Sequence, residues 1–184
     1  MSRLAIIPAR GGSKRIPLKN IKLFLGKPII SYSIEAAKNS NLFDEIMVST
    51  DSLEIKRISE SLGASVPFLR SQRNSDDHAT TADVIIEVLE EYKKVGKEFD
   101  EVCCIYATAP FVTPRKLQEA FKLLAERKAN SVYPVVPFSY PILRSLIIEE
   151  NGYIQMKWPK YLNARSQDIP TFYHDVGQFY CAKS

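Results

Sequence analysis

What the chain lacks narrows it first. No acidic residue precedes Glu35, although seven basic residues do: Arg3, Arg10, Lys14, Arg15, Lys19, Lys22 and Lys27. Of the 25 basic residues, 18 therefore remain to face all 21 acidic ones, and the net charge of +4 is a local excess on a balanced protein. A local cationic segment fits a polyanionic ligand held at one place. Neither a zinc-finger spacing nor an RNA-recognition signature occurs, which argues against nucleic acid as that ligand. No apolar run approaches the roughly 18 residues that cross a bilayer, so no membrane segment is expected. The run Leu4–Ile7 stops at Pro8 without a small-residue cleavage site and is no signal peptide; a cytoplasmic location follows as the expectation. Three cysteines make neither a disulfide framework nor a zinc pattern. Cys103 and Cys104 lie in an apolar run and read as small packed hydrophobes. Repeats, low-complexity stretches and flexible linkers are absent, and residues 1–184 are expected to form a single domain.

What is there alternates strand and helix. Arg3 to Ala9 is a continuous apolar run before a glycine loop, as suits a buried parallel strand. Ile29 to Ala37 reads as a helix, Glu45 to Ser49 as a second strand, and Asp51 with Glu54 as a cap for the next helix. Ala64 to Leu69 offers a third strand. Thr80 with Asp83 forms a capping-box pattern ahead of helically spaced Val84, Ile85, Val88, Leu89 and Tyr92. Val102 to Ala107 is a fourth strand, Thr113-Pro114 a helix start, and Ser131 to Val136 a fifth strand. Leu146 to Ile148 and Tyr153 to Met156 flank a turn at Asn151-Gly152, a hairpin inserted at about 140–160. Val176 to Ala182 closes the series. Such alternation implies an α/β fold of Rossmann-like type, a mainly parallel sheet flanked by helices, with the hairpin as an added arm.

The strongest feature is Pro8-Ala9-Arg10-Gly11-Gly12-Ser13-Lys14-Arg15-Ile16-Pro17-Leu18-Lys19-Asn20. Glycines after a buried strand let backbone N–H groups approach an anion, and the neighbouring cations can neutralise a triphosphate. It is neither a Walker A loop nor the dinucleotide fingerprint, since the required lysine and third glycine are missing. The stretch closely resembles the signature loop of the acylneuraminate cytidylyltransferases. Four more segments resemble that family in order: Ser49-Thr50-Asp51-Ser52; Arg70 ahead of Ser75-Asp76-Asp77-His78-Ala79-Thr80-Thr81; Ala107-Thr108-Ala109-Pro110-Phe111; and Arg165-Ser166-Gln167-Asp168-Ile169-Pro170. The run Phe172 to Tyr180 looks most like the pseudaminic acid branch. Tyr106 departs from the glutamine that the neuraminic enzymes usually carry there.

The resemblance implies a cytidylyltransferase that transfers CMP from CTP to the anomeric hydroxyl of an acidic nine-carbon sugar. Arg10 and Lys19 would be catalytic, and Arg10, Gly11, Gly12, Ser13, Lys14 and Lys19 would hold the phosphates. Asn20, Arg70 and Thr81 would contact ribose or base. Read without the family, Thr81 fits a helix cap, Arg70 a surface salt bridge and His78 an ordinary loop residue. Arg165 and Gln167 suit an α-keto acid, since guanidinium binds carboxylate bidentately; Asp175, Gln178 and Tyr180 complete the expected sugar set. His174-Asp175 is no dyad, because adjacent strand residues point to opposite faces. The resemblance further implies Mg²⁺ as cofactor and a homodimer formed through the hairpin arm. The family's Asp-x-Asp metal segment falls beyond Ser184, so the chain is expected to lack that part of the family domain and its metal carboxylates. Other readings are a CMP-N-acetylneuraminate synthetase, the cytidylyltransferase for the eight-carbon acid of lipopolysaccharide, or an inactive nucleotide-binding fragment.

Overall fold

The computed structural model describes residues 1–184. The chain opens with β1 (Arg3–Pro8), whose Leu4, Ala5, Ile6 and Ile7 are wholly buried. Period-2 alternation divides them between two cores. Ala5 and Ile7 join a cluster that includes Ile30, Ile34, Ile55, Leu117 and Phe121, while Leu4 and Ile6 pack with Met47, Val88, Tyr92 and Val102. Each fully buried isoleucine or leucine is worth about 1.5–3 kcal/mol, so this strand anchors both faces of the sheet.

After the glycine loop come β2 (Leu23–Phe24), β3 (Lys27–Pro28), α1 (Ile30–Ser40), β4 (Glu45–Ser49) and α2 (Leu53–Ser61). They are followed by α3 (Thr81–Lys94), β5 (Glu101–Ile105), α4 (Pro114–Glu126) and β6 (Ser131–Val132). Next are β7 (Val135–Pro137), β8 (Leu146–Ile148), β9 (Ile154–Met156), β10 (Tyr173–Asp175) and β11 (Phe179–Lys183). The main sheet has the order β4-β1-β5-β11-β6; β4, β1 and β5 are mutually parallel, and β11 runs antiparallel to both its neighbours. No helix is long and apolar enough to cross a membrane.

The chain divides into two compact units, residues 1–133 with 177–184, and residues 134–176. The inserted unit is larger than the hairpin expected at 140–160. It holds a β7–β10 pair and the β8–β9 hairpin, in register Leu146 with Met156 and Ile148 with Ile154. Gly152 takes φ +81° in its turn, a conformation glycine adopts without Cβ strain. Ile169 is the one buried hydrophobic side chain of this unit.

Local competition moved several boundaries. Ala64–Leu69 is not a strand: Ser65 bridges to Met47, then Pro67 supplies no N–H and the pairing stops. Ser131–Val136 is broken at Pro134, so that β6 pairs with β11 and β7 with β10. Ser52, not Asp51, caps α2, its hydroxyl accepting from the Ile55 N–H. Thr80, not Thr81, caps α3, in a reciprocal box with Asp83.

Candidate active site

Three parallel strands deliver their loops to one edge, where open α/β sheets bind ligands. β1 leads into Ala9 and Arg10, β4 into Thr50 and Asp51, and β5 into Tyr106 and Ala107. A cleft of about 780 Å³ lies there. Its walls include Arg10, Ser13, Lys14, Lys19, Asn20, Arg70 and Thr81, which unites most of the expected nucleotide set.

The loop is shaped by contacts that spacing does not reveal. The Gly11 N–H donates to Asp51 Oδ1 at 2.7 Å, and a Cβ at Gly11 would meet Ser52 Cβ at 3.0 Å, close enough that Ser52 would have to give way. Gly12 faces open space instead. Asn20 is buried, and its amide nitrogen donates to the Arg10 carbonyl at 2.9 Å. That bond props the loop, and Asn20 also lines the cleft.

The cations are not equivalent. Asp77 bridges Arg10, at 2.6 Å, and Lys14; Arg10 also donates to the Asp76 carbonyl. The Lys14 ammonium and Arg10 guanidinium hold the Asp77 carboxyl below its ordinary range. The Asp76 carboxylate instead accepts the N–H groups of Ala79 and His78, each at 2.8 Å, which lowers its pKa too. Lys19 is exposed and makes no ion pair.

Arg70 is buried at 8% exposure, so a surface salt bridge is excluded. Its Nε donates to Ser49 Oγ at 2.9 Å and its Nη2 to the Ser49 carbonyl at 2.5 Å. Burial pulls its pKa downward, while Asp51 and Glu87 oppose the shift. A lysine cannot make this forked contact. Arg70→Lys should lose at least one charge-assisted bond of about 1.5–3 kcal/mol and lower Tm by about 3–10 °C in a calorimetric scan. An unchanged Tm would show that the fork contributes nothing.

Thr81 and Tyr106 share a hydrogen bond between hydroxyls at 2.9 Å. The Tyr106 ring meets Tyr180 edge-on at 5.6 Å, and Tyr180 in turn packs on Tyr133 at 5.8 Å. Tyr106 and Asp77 are the site residues that sequence reasoning missed. Each stood inside or beside a motif, but only tertiary contact gives it a role.

The expected sugar set is split between the two units. In the inserted unit, exposed Arg165 forks onto Asp168 at 2.7 and 3.2 Å, Gln167 is exposed beside it, and Asp175 stands opposite Val135 in β10. In the main unit, the Gln178 carbonyl accepts from the Tyr106 N–H, and Tyr180 packs on Tyr106. His174 Nδ1 lies 2.9 Å from the Asp175 carbonyl oxygen, a backbone contact and not a catalytic dyad.

No three acids, histidines or cysteines gather into a metal cluster. Asp51, Asp76 and Asp77 are engaged by Gly11, by Ala79 and His78, and by Arg10 and Lys14 respectively. These acids do not gather into a ready-made site for Mg²⁺.

Fold and cleft together define an α/β protein with a basic glycine loop at the carboxyl edge of its parallel strands. The chain belongs to the cytidylyltransferase family, whose family model matches residues 4–141. It is 44% identical to a pseudaminic acid cytidylyltransferase of Campylobacter jejuni over 184 residues, all of this chain and 79% of that protein. It is 40% identical to a CMP-N,N'-diacetyllegionaminic acid synthase of Legionella pneumophila over 139 residues, covering 76% of this chain and 60% of that one. Among solved structures, a CMP:2-keto-3-deoxy-manno-octonic acid synthetase complexed with CTP shares the fold with a TM-score of 0.72. It has 21% identity and covers 100% of this chain and 74% of its own.

Proposed function

We propose that this protein transfers CMP from CTP to the anomeric hydroxyl of pseudaminic acid or a closely similar nine-carbon ulosonic acid. The new bond joins the anomeric oxygen to the α-phosphorus; the bond from that phosphorus to the β-phosphate bridge breaks, and pyrophosphate leaves. The acceptor's proton passes to solvent. Little covalent work falls to the protein, so positioning and charge stabilisation carry the rate. Arg10 and Lys19 stabilise the phosphates as the bridge breaks, and Lys14, Ser13 and the backbone at Gly11 and Gly12 hold them. Asn20, Arg70 and Thr81 are assigned to ribose and base. Arg165 and Gln167 are assigned the acid's carboxylate and polar substituents, and Asp175, Gln178 and Tyr180 are the further residues assigned to the acceptor. Mg²⁺ enters this reading only as a counter-ion of the nucleotide, and a cytoplasmic setting as the place where CTP is available.

The observation that carries the reading is the set of cations at the carboxyl edge of the parallel strands, on a chain 44% identical throughout to the Campylobacter enzyme. The test is pyrophosphate release from CTP by the full-length protein with a panel of acids. Pseudaminic acid should outpace N,N'-diacetyllegionaminic, N-acetylneuraminic and 2-keto-3-deoxy-manno-octonic acids. Release with none of them would sink the proposal; preference for another acid would sink the branch assignment.

We also propose a two-fold dimer built on the β8–β9 hairpin. Leu146, Ile148, Tyr153 and Ile154 are 60%, 76%, 74% and 63% exposed, and an isolated two-stranded ribbon is marginal in water. Light scattering at micromolar concentration should give twice the chain mass; a strictly monomeric mass would count against the arm.

A further inference from the structure

Tyr106 is the first residue past β5, and its backbone is pinned on both sides. Its N–H donates to the Gln178 carbonyl at 2.9 Å, and its carbonyl accepts from the buried Ser33 hydroxyl on α1 at 2.8 Å. The ring therefore leaves the sheet from a fixed point. It lines the cleft, and its hydroxyl reaches Thr81 on the first turn of α3 at 2.9 Å. Its edge meets Tyr180 at 5.6 Å, and its Cε2 would lie 3.8 Å from a Cβ placed at Gly177. One rigid side chain thus contacts both Thr81, assigned above to the nucleotide, and Tyr180, assigned to the acceptor.

We infer that Tyr106 is a positioning residue for the transfer, holding the Thr81 hydroxyl toward the nucleotide with its oxygen and setting the Tyr180 wall with its ring. The inference rests on the proposed function. Nucleotidyl transfer needs the acceptor oxygen aligned with the α-phosphorus, and displacement of about 1 Å can cost about a hundredfold in rate. A side chain that touches both halves relates the two.

The two parts of Tyr106 separate by substitution. Tyr106→Phe keeps the ring and frees Thr81, so the KM for CTP should rise about 3- to 10-fold, as for a lost neutral hydrogen bond, with the acceptor KM unchanged. Thr81→Val, which also removes the hydroxyl's own contact with the nucleotide, should raise that KM at least as much, and the double variant should be no worse than Thr81→Val alone. Tyr106→Leu also removes the wall, and kcat should fall by about a hundredfold with a rise in acceptor KM. Circular dichroism checks that this variant folds; Tyr106→Phe keeps the shape and decides the matter by itself. A CTP KM in Tyr106→Phe equal to wild type, a change confined to the acceptor KM, or additive effects with Thr81→Val would each overturn the inference. Failure of the wild-type protein to bind CTP by calorimetry would instead sink the proposed function, which keeps the two failures apart.

Discussion

Replacing Lys19 with alanine is expected to lower kcat/KM for CTP about a hundredfold while leaving the unfolding temperature where it was. The side chain is exposed and makes no ion pair, so its loss removes nothing from the fold; exposed substitutions of this kind stay within about 0.5 kcal/mol. Lys19 lines the cleft, where on the proposed reading charge develops as the phosphate bridge breaks. Removing one such donor typically costs a factor of about 10²–10³ in kcat. Arg10 and Lys14 should behave differently, because each is tied to Asp77 and its truncation also alters the loop at 71–80. Calorimetric titration with CTP and a thermal scan check the result together. Unaltered CTP affinity and turnover in Lys19→Ala would mean that the loop does not hold the triphosphate.

The second large effect is expected at Arg165. Its present partner is Asp168, an exposed pair three residues away, and such pairs are worth about 0–1 kcal/mol. Exchange of Asp168 for the carboxylate of an acid substrate therefore costs little. Once desolvated, a bidentate guanidinium–carboxylate pair is far stronger, and truncating one partner costs about 2–5 kcal/mol. Arg165→Ala should raise the acceptor KM at least thirtyfold or abolish turnover, with CTP affinity unchanged. Arg165→Lys should rescue poorly, since a lysine lacks the fork. Wild-type kinetics in Arg165→Ala toward every ulosonic acid would remove this residue from the acceptor site.

Much of this was legible in the residues themselves. β1, β4 and β5 are continuous apolar runs, and the capping box at Thr80 and Asp83 lies three residues apart, so short-range pattern sufficed. The glycines and cations of the first loop pointed to an anion there, the family resemblance supplied the individual nucleotide residues, and most of these line one cleft. What escaped the sequence depends on long-range contact or on close local rivals. Arg70 looked like a surface cation because nothing nearby announces that Ser49, 21 positions away, will receive it in the interior. Asp77 meets Arg10 across 67 positions, and Thr81 meets Tyr106 across 25. Asp51 and Ser52 are both good caps, and adjacency left the choice to geometry: the Gly11 N–H drew Asp51 away. The alternating run of β11 carries no sign of its direction, which is set by its pairing with β5 and β6. Proline also decided more than the apolar pattern did, ending strand pairing at Pro67 and redirecting the chain at Pro134.

On the proposed reading, the bridge from Asp77 to Arg10 and Lys14 would make the cleft a filter as well as a receptor. An incoming anion must replace a carboxylate that already satisfies two cations. A small ion such as inorganic phosphate gains little by that exchange. On that reading a triphosphate would reach both cations and Lys19 besides, and would win by number of contacts more than by charge. On the same reading this carboxylate would reclaim its partners when pyrophosphate forms and so favour its departure. On the proposed reading, an acid placed among the phosphate-binding cations serves turnover by keeping the grip on phosphate reversible.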